Sequence, residues 1–192
     1  MMNSHVNALY YDDESLQAIE IPYKNKEASM VVILPKENAK LTIKDIDYKY
    51  YTDISKSVEV KRVKLSIPKF KMEVMYELKD IMMKMGMKAA FSKDADFSGI
   101  TGGKDLTISK ILHQSVIDVN ESGTEASSST AVISTRSTMV TKDIPIVFKA
   151  DRPFLFIVKE NGTNTILFMG YMAEPPAVAI KEKESPKAQG QN

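Results

Sequence analysis

The chain has 192 residues, 43% of them apolar and 27% charged, an ordinary globular composition that excludes a wholly disordered or collagen-like chain. With 26 Lys and Arg against 25 Asp and Glu, the net charge is +1, and no dominant field favours nucleic acid or a membrane surface as partner. There is no Cys, hence no disulfide framework, thiolate zinc site or thiol nucleophile. The apolar runs are far too short to span a bilayer, and Met1–Ser15 has no apolar stretch of the signal-peptide kind.

Residues 6–34 read as strands: Val6, Ala8 and Tyr10 alternate, Ile19, Ile21 and Tyr23 alternate again, and the apolar run Met30–Leu34 stops at Pro35. Over 41–57 the period changes, with Ile43, Ile46, Tyr50 and Ile54 at helical spacing. Val63, Leu65 and Ile67 return to period two. Residues 75–87 read as a helix with Leu78, Ile81, Met82 and Met85 on one stripe and Gly86 near its end. The six Met between 72 and 87 read as adaptable core filler. A loop over Asp94–Asp105 precedes a long strand over 106–119. Strands at 144–149, 153–158 and 165–172 follow, the last two joined as a hairpin by KENGTN (159–164). Residues 176–192 are a polar tail without periodicity.

Between two strong strands lies ESGTEASSSTAVISTRSTMVTKD (121–143), in which more than half of residues 122–141 are Ser or Thr. A structureless connection of this length inside a domain is uncommon and is usually functional or disordered. It has no Pro, and no Gly after Gly123, and its small and β-branched residues would tolerate conversion to a strand. Arg136 within it is a natural substrate residue for a trypsin-like protease, whose specificity pocket presents a carboxylate. The plain alternative is a Ser/Thr-rich linker that happens to contain one Arg.

Five colinear segments carry a family resemblance: IPYKNKEASMVVILP (21–35), DADFSGI (94–100), ESGTEASSST (121–130), FKADRPFLFIV (148–158) and TILFMGYMAEP (165–175). Together they resemble the serpins, serine protease inhibitors with a mobile reactive-centre loop. The resemblance covers residues 1 to about 175 and implies an α+β fold of mostly antiparallel sheets with a few helices. It also implies that roughly the N-terminal half of the family's fold is absent, so that the large central sheet is incomplete. Ser127, Ser128 and Ser129 depart from the family's Ala-rich hinge but remain small.

The resemblance implies a suicide substrate rather than an enzyme, with no cofactor and a serine protease as partner. The protease cuts the loop, and the cut loop inserts into the central sheet. The hinge would be Glu121, Gly123, Thr124, Glu125 and Ala126, with Gly123 supplying backbone freedom. The family's commoner spacing from Glu121 puts the bait bond at Ser137–Thr138, for an elastase-like target. A shorter spacing puts it at Arg136–Ser137, for a trypsin-like one, which we favour. Lys69 resembles the partner of Glu121, His113 a buried hydrogen-bonding histidine of the central sheet, and Asp151, Arg152, Pro153 and Phe154 the C-terminal signature. The family favours secretion, with a cytoplasmic location as the alternative. A complete inhibitor is expected to be monomeric. This chain alone is expected to trap no protease, and its bare strand edge near 106–119, partnered near 60–74, makes it prone to association.

Other constellations are weaker. Asp94 and Asp96 begin a calcium-loop spacing that no Glu closes, and His5 with His113 make no metal set. Asn161-Gly162-Thr163 and Asn120-Glu121-Ser122 are glycosylation sequons, the first in a hairpin turn. The competing functional reading is a non-inhibitory serpin-fold binding protein or an inactive truncated isoform.

Overall fold

Two strand systems organise the chain. The computed structural model describes residues 1–37, 39, 45–120 and 144–176. In chain order its elements are β1 (Met2–Asp12), β2 (Leu16–Pro22), β3 (Ala28–Pro35), α1 (Tyr48–Lys56), β4 (Glu59–Ile67), β5 (Phe70–Glu77), α2 (Lys79–Lys84), α3 (Ser98–Thr101), β6 (Leu112–Val119), β7 (Ile146–Lys149), β8 (Phe154–Glu160) and β9 (Ile166–Met172). Seven strands form one sheet in the order β7-β4-β1-β2-β3-β8-β9, and β5 pairs with β6 in a second sheet. The chain divides into two compact units, Met1–Lys69 with Val119–Asn192, and Phe70–Asp118.

The large sheet follows its side-chain pattern. Val6, Ala8 and Tyr10 of β1 are buried in alternation, opposite Val63, Lys61 and Glu59 of β4. The interior strands β3 and β8 are buried over six consecutive residues each, Ser29–Leu34 and Phe154–Lys159, and so are covered on both faces. One face carries α1, whose Tyr51 and Ile54 join a buried cluster with Leu16, Ala18, Val31, Ile33, Leu155 and Ile157. Asp47 starts this helix by accepting a hydrogen bond from the Tyr50 N–H at 2.7 Å. The expected helix over 41–57 is therefore observed as Tyr48–Lys56, and 41–44 lie outside the described residues.

Asp13 holds the β1–β2 turn. Its carboxylate accepts from Ser15 N at 2.7 Å, Leu16 N at 2.9 Å and Tyr11 Oη at 2.9 Å, with Tyr50 Oη of α1 at 3.4 Å. Burial pushes this carboxyl up, but the two N–H groups and two hydroxyls outweigh it and hold it below its ordinary value. At the other side of the sheet the Phe156 ring lies across Gly170 of β9, in the space a Cβ would occupy, so only Gly fits there.

Three expectations are corrected in the smaller unit. The helix expected over 75–87 is only α2, because Met75, Tyr76 and Glu77 complete β5 before the chain turns. The strand expected over 106–119 begins at Leu112, because Ile108 N is taken by the Ala90 carbonyl at 3.2 Å. None of the Met at 72, 75, 82, 83, 85 and 87 is buried, and Met85 is 77% exposed. Only Phe70 and Ala95 are buried among residues 70–118, so this unit has no core of its own for methionines to fill. The loop expected over Asp94–Asp105 contains one helical turn, α3, closed by Gly102 at φ 78°.

Candidate functional site

The segment 121–143 lies outside the described residues, and with it the expected hinge (Glu121, Gly123, Thr124, Glu125, Ala126) and both candidate bait bonds at Arg136, Ser137 and Thr138. Its two stems are described. The incoming stem is β6 and the outgoing stem is β7, and they belong to different sheets.

β6 is held on one edge by β5. Leu78 N donates to the Ile111 carbonyl at 2.8 Å, so the end of β5 faces the start of β6, and Gln114 Nε2 donates to Glu73 Oε1 at 2.7 Å. Among the described residues the other edge of β6 has no strand partner. The partner expected near 60–74 is thus divided: β4 joins the large sheet, and β5 alone serves β6. His113 is exposed on β6, not buried as its resemblance implied, because among the described residues only β5 flanks that strand. Lys69 is exposed in the connection between β4 and β5.

β7 is anchored firmly. It runs parallel to β4, with Phe148 opposite Leu65 and fully buried. Beyond it Ala150 N donates to the Ser66 carbonyl at 2.9 Å, and Ser66 Oγ donates to Asn3 Oδ1 at 2.6 Å. The signature residues then form a corner. Arg152 Nε donates to the Pro35 carbonyl at the end of β3 (2.6 Å), and Asp151 pairs with Lys149 at 2.8 Å and Arg152 at 3.3 Å. Burial raises the Asp151 carboxyl, but the Lys149 hydrogen bond and charge, with Arg152 behind them, hold it below its usual range. Pro153 is exposed, and Phe154 is fully buried as the first residue of β8. Ile144, on the loop side of β7, is 87% exposed.

Asp96 pairs with Lys104 at 2.8 Å and accepts from Ser98 N at 3.1 Å, so the Lys104 hydrogen bond first, then Ser98, lower its pKa. Sequence reasoning passed over Lys159, which is buried in β8 with Glu20 at 3.0 Å and Asn164 at 3.2 Å. Its signal was present, a Lys closing the apolar run 153–158. Beside it a cavity of about 200 Å³ is lined by Tyr48, Tyr51, Thr52, Ser55, Lys56, Lys159 and Asn164.

The family pattern described as Serpin (serine protease inhibitor) matches residues 1–175. The chain belongs to the serpin family. It covers the C-terminal portion of the fold. A serpin-like protein of Thermococcus kodakarensis is 40% identical over 176 residues, spanning 91% of this chain and 41% of the relative. The leukocyte elastase inhibitor of Bos taurus is 34% identical over 174 residues, spanning 86% and 45%. Human thyroxine-binding globulin, solved in complex with its hormone, superposes with a TM-score of 0.74 at 28% identity, over 92% of this chain and 46% of that one. This serpin thus spans less than half the length of these relatives, and its α+β architecture agrees with theirs. Among the described residues no helix is long and apolar enough to cross a membrane.

Proposed function

We propose that this chain carries the bait segment of a serpin-type serine protease inhibitor, a protein that acts as a substrate rather than a catalyst. The observation that supports this reading is that, among the described residues, β6 is paired on one edge alone directly before the Ser/Thr-rich segment 121–143. Cleavage at Arg136–Ser137 by a trypsin-like protease would release the hinge side of the segment to add as a strand beside β6, with Gly123 bending first and Thr124 to Thr130 following. About ten newly paired backbone groups at roughly 1 kcal/mol each give on the order of 10 kcal/mol, comparable to a domain's whole stability. Ser137–Thr138 is the alternative bond and fits an elastase-like protease. Lys69 and Glu121 would pair at the top of the sheet. Secretion fits such a target.

With β5 as the only strand beside β6 among the described residues, the segment could pair on one side but could not be enclosed, so residues 1–192 alone are cleaved without trapping the protease. The test is a chimera in which residues 1–175 replace the matching portion of the leukocyte elastase inhibitor, mixed with trypsin. A covalent complex that survives a denaturing gel, and is lost in Arg136→Ala, supports the reading. Cleavage without any complex overturns it.

One observation favours a second reading, a carrier without inhibition. The cavity beneath α1 combines two tyrosines with the Lys56 cation, while Lys159 is already paired with Glu20, a chemistry suited to an aromatic anion. Quenching of tyrosine fluorescence by thyroxine, abolished in Tyr51→Ala, would support that reading, and no quenching at saturating thyroxine would remove it.

A further inference from the structure

The chain contains a single Asn-Gly pair, Asn161–Gly162, at the β8–β9 turn. Asn-Gly is chemically the most labile asparagine sequence, because a glycine amide has no Cβ to hinder its attack on the preceding side chain. In that reaction the Gly162 nitrogen loses its proton to solvent base and bonds to Asn161 Cγ. The Cγ–Nδ2 bond breaks and ammonia leaves. Water then opens the resulting cyclic imide at either carbonyl, giving aspartate or isoaspartate.

Every group that would take part is held elsewhere in this turn. Gly162 N donates to Glu160 Oε1 at 2.7 Å. The other oxygen of the same carboxylate accepts from Thr163 N and Thr163 Oγ1, both at 2.6 Å. These bonds, the Thr163 hydroxyl first, lower the Glu160 pKa, so the acceptor stays ionised at neutral pH. The leaving nitrogen, Asn161 Nδ2, donates to the Lys26 carbonyl at 2.9 Å, and Asn161 N donates to the Glu27 carbonyl at 2.8 Å. Lys26 sits at φ 56° in the β2–β3 turn, so its carbonyl is presented by a left-handed residue. Asn161 Oδ1 is buried with no hydrogen-bond partner among the described residues.

We propose that Asn161 is a conditional deamidation site, protected while Glu160 holds the Gly162 amide and Lys26 holds the Asn161 side chain, and exposed when the turn opens. The conversion is one-way. In the product an anionic oxygen replaces the Nδ2 donor opposite the Lys26 carbonyl, and the second oxygen occupies the buried, unpartnered position. Both changes oppose re-docking of the β8–β9 turn on the β2–β3 turn. Isoaspartate adds a backbone methylene and also breaks the turn's register. The turn therefore records past opening of the β8–β9 hairpin as a permanent negative charge.

The test follows conversion of Asn161 by mass spectrometry and isoaspartate detection, at neutral pH and physiological temperature. The intact chain is compared with a free peptide of residues 157–166. The chain is expected to convert at least about tenfold more slowly than the peptide, the effect of a hydrogen bond to a charged group. Glu160→Ala removes most of that protection, Glu160→Gln leaves an intermediate rate, and Asn161→Asp lowers the melting temperature. Circular dichroism establishes that each variant is folded. If Glu160→Ala does not fold, the wild-type-to-peptide ratio and Glu160→Gln decide alone. Equal rates in chain and peptide overturn the proposal, as does a folded Glu160 variant converting as slowly as wild type.

Discussion

The two sheets of this serpin are built from similar residues and end in opposite conditions. β8 is buried from Phe154 to Lys159, whereas β6, with Val116, Ile117 and Val119, buries only its last residue. β3 and β8 each have strands on both edges, while β5 and β6 have only each other among the described residues. The difference shows that apolar content does not make a core. Burial comes from the number of layers and neighbours, and a two-stranded pair is marginal by itself.

The largest way to break this comparison is Phe154→Ala or Phe148→Ala, each removing a fully buried ring from the large sheet. Each is expected to cost about 3–5 kcal/mol, read as a fall in the urea midpoint. Lys159→Ala is next: it leaves Glu20, with only 12% of its side chain exposed, without its cation, and about 3 kcal/mol is expected. Gly170→Ala drives a methyl group into the Phe156 ring and is expected to cost about 1–3 kcal/mol by thermal melting. By contrast, Val116→Ala in β6, where Val116 is 47% exposed, is expected to stay within about 0.5 kcal/mol of wild type. A Val116→Ala effect as large as that of Phe154→Ala would erase the distinction between the sheets.

The smallest expected effect is in pH. The Asp13 carboxyl is lowered in the folded state, so it binds fewer protons folded than unfolded. Its contribution is therefore fully present above the unfolded value near about 4 and is lost as pH falls through the lower folded value. Acid titration of the melting temperature should show this loss, and Asp13→Asn should flatten it.

The large sheet was legible wherever burial is local. Alternation at Val6, Ala8 and Tyr10, the run Met30–Leu34 ending at Pro35, and the final hairpin all appear as read. The misreadings lie in the smaller unit. There Leu78, Ile81, Met82 and Met85 have true helical spacing, yet no residue of α2 is buried, so a stripe existed without a surface to cover. Lys159 was missed because its partner Glu20 is distant in sequence and lies across β3, a pairing only the strand order reveals. Asn161 was legible as a sequon but not as a pinned side chain, since Lys26 reaches it only through the docking of two turns.

The most direct measurement of the central claim, one sheet with buried interior strands and one two-stranded sheet without them, is hydrogen–deuterium exchange of the intact chain. Peptides covering β3 and β8 should exchange slowest, and those covering β5 and β6 at least about a thousandfold faster, a gap of roughly 4 kcal/mol in opening free energy. Protection of β6 equal to that of β8 would contradict the account.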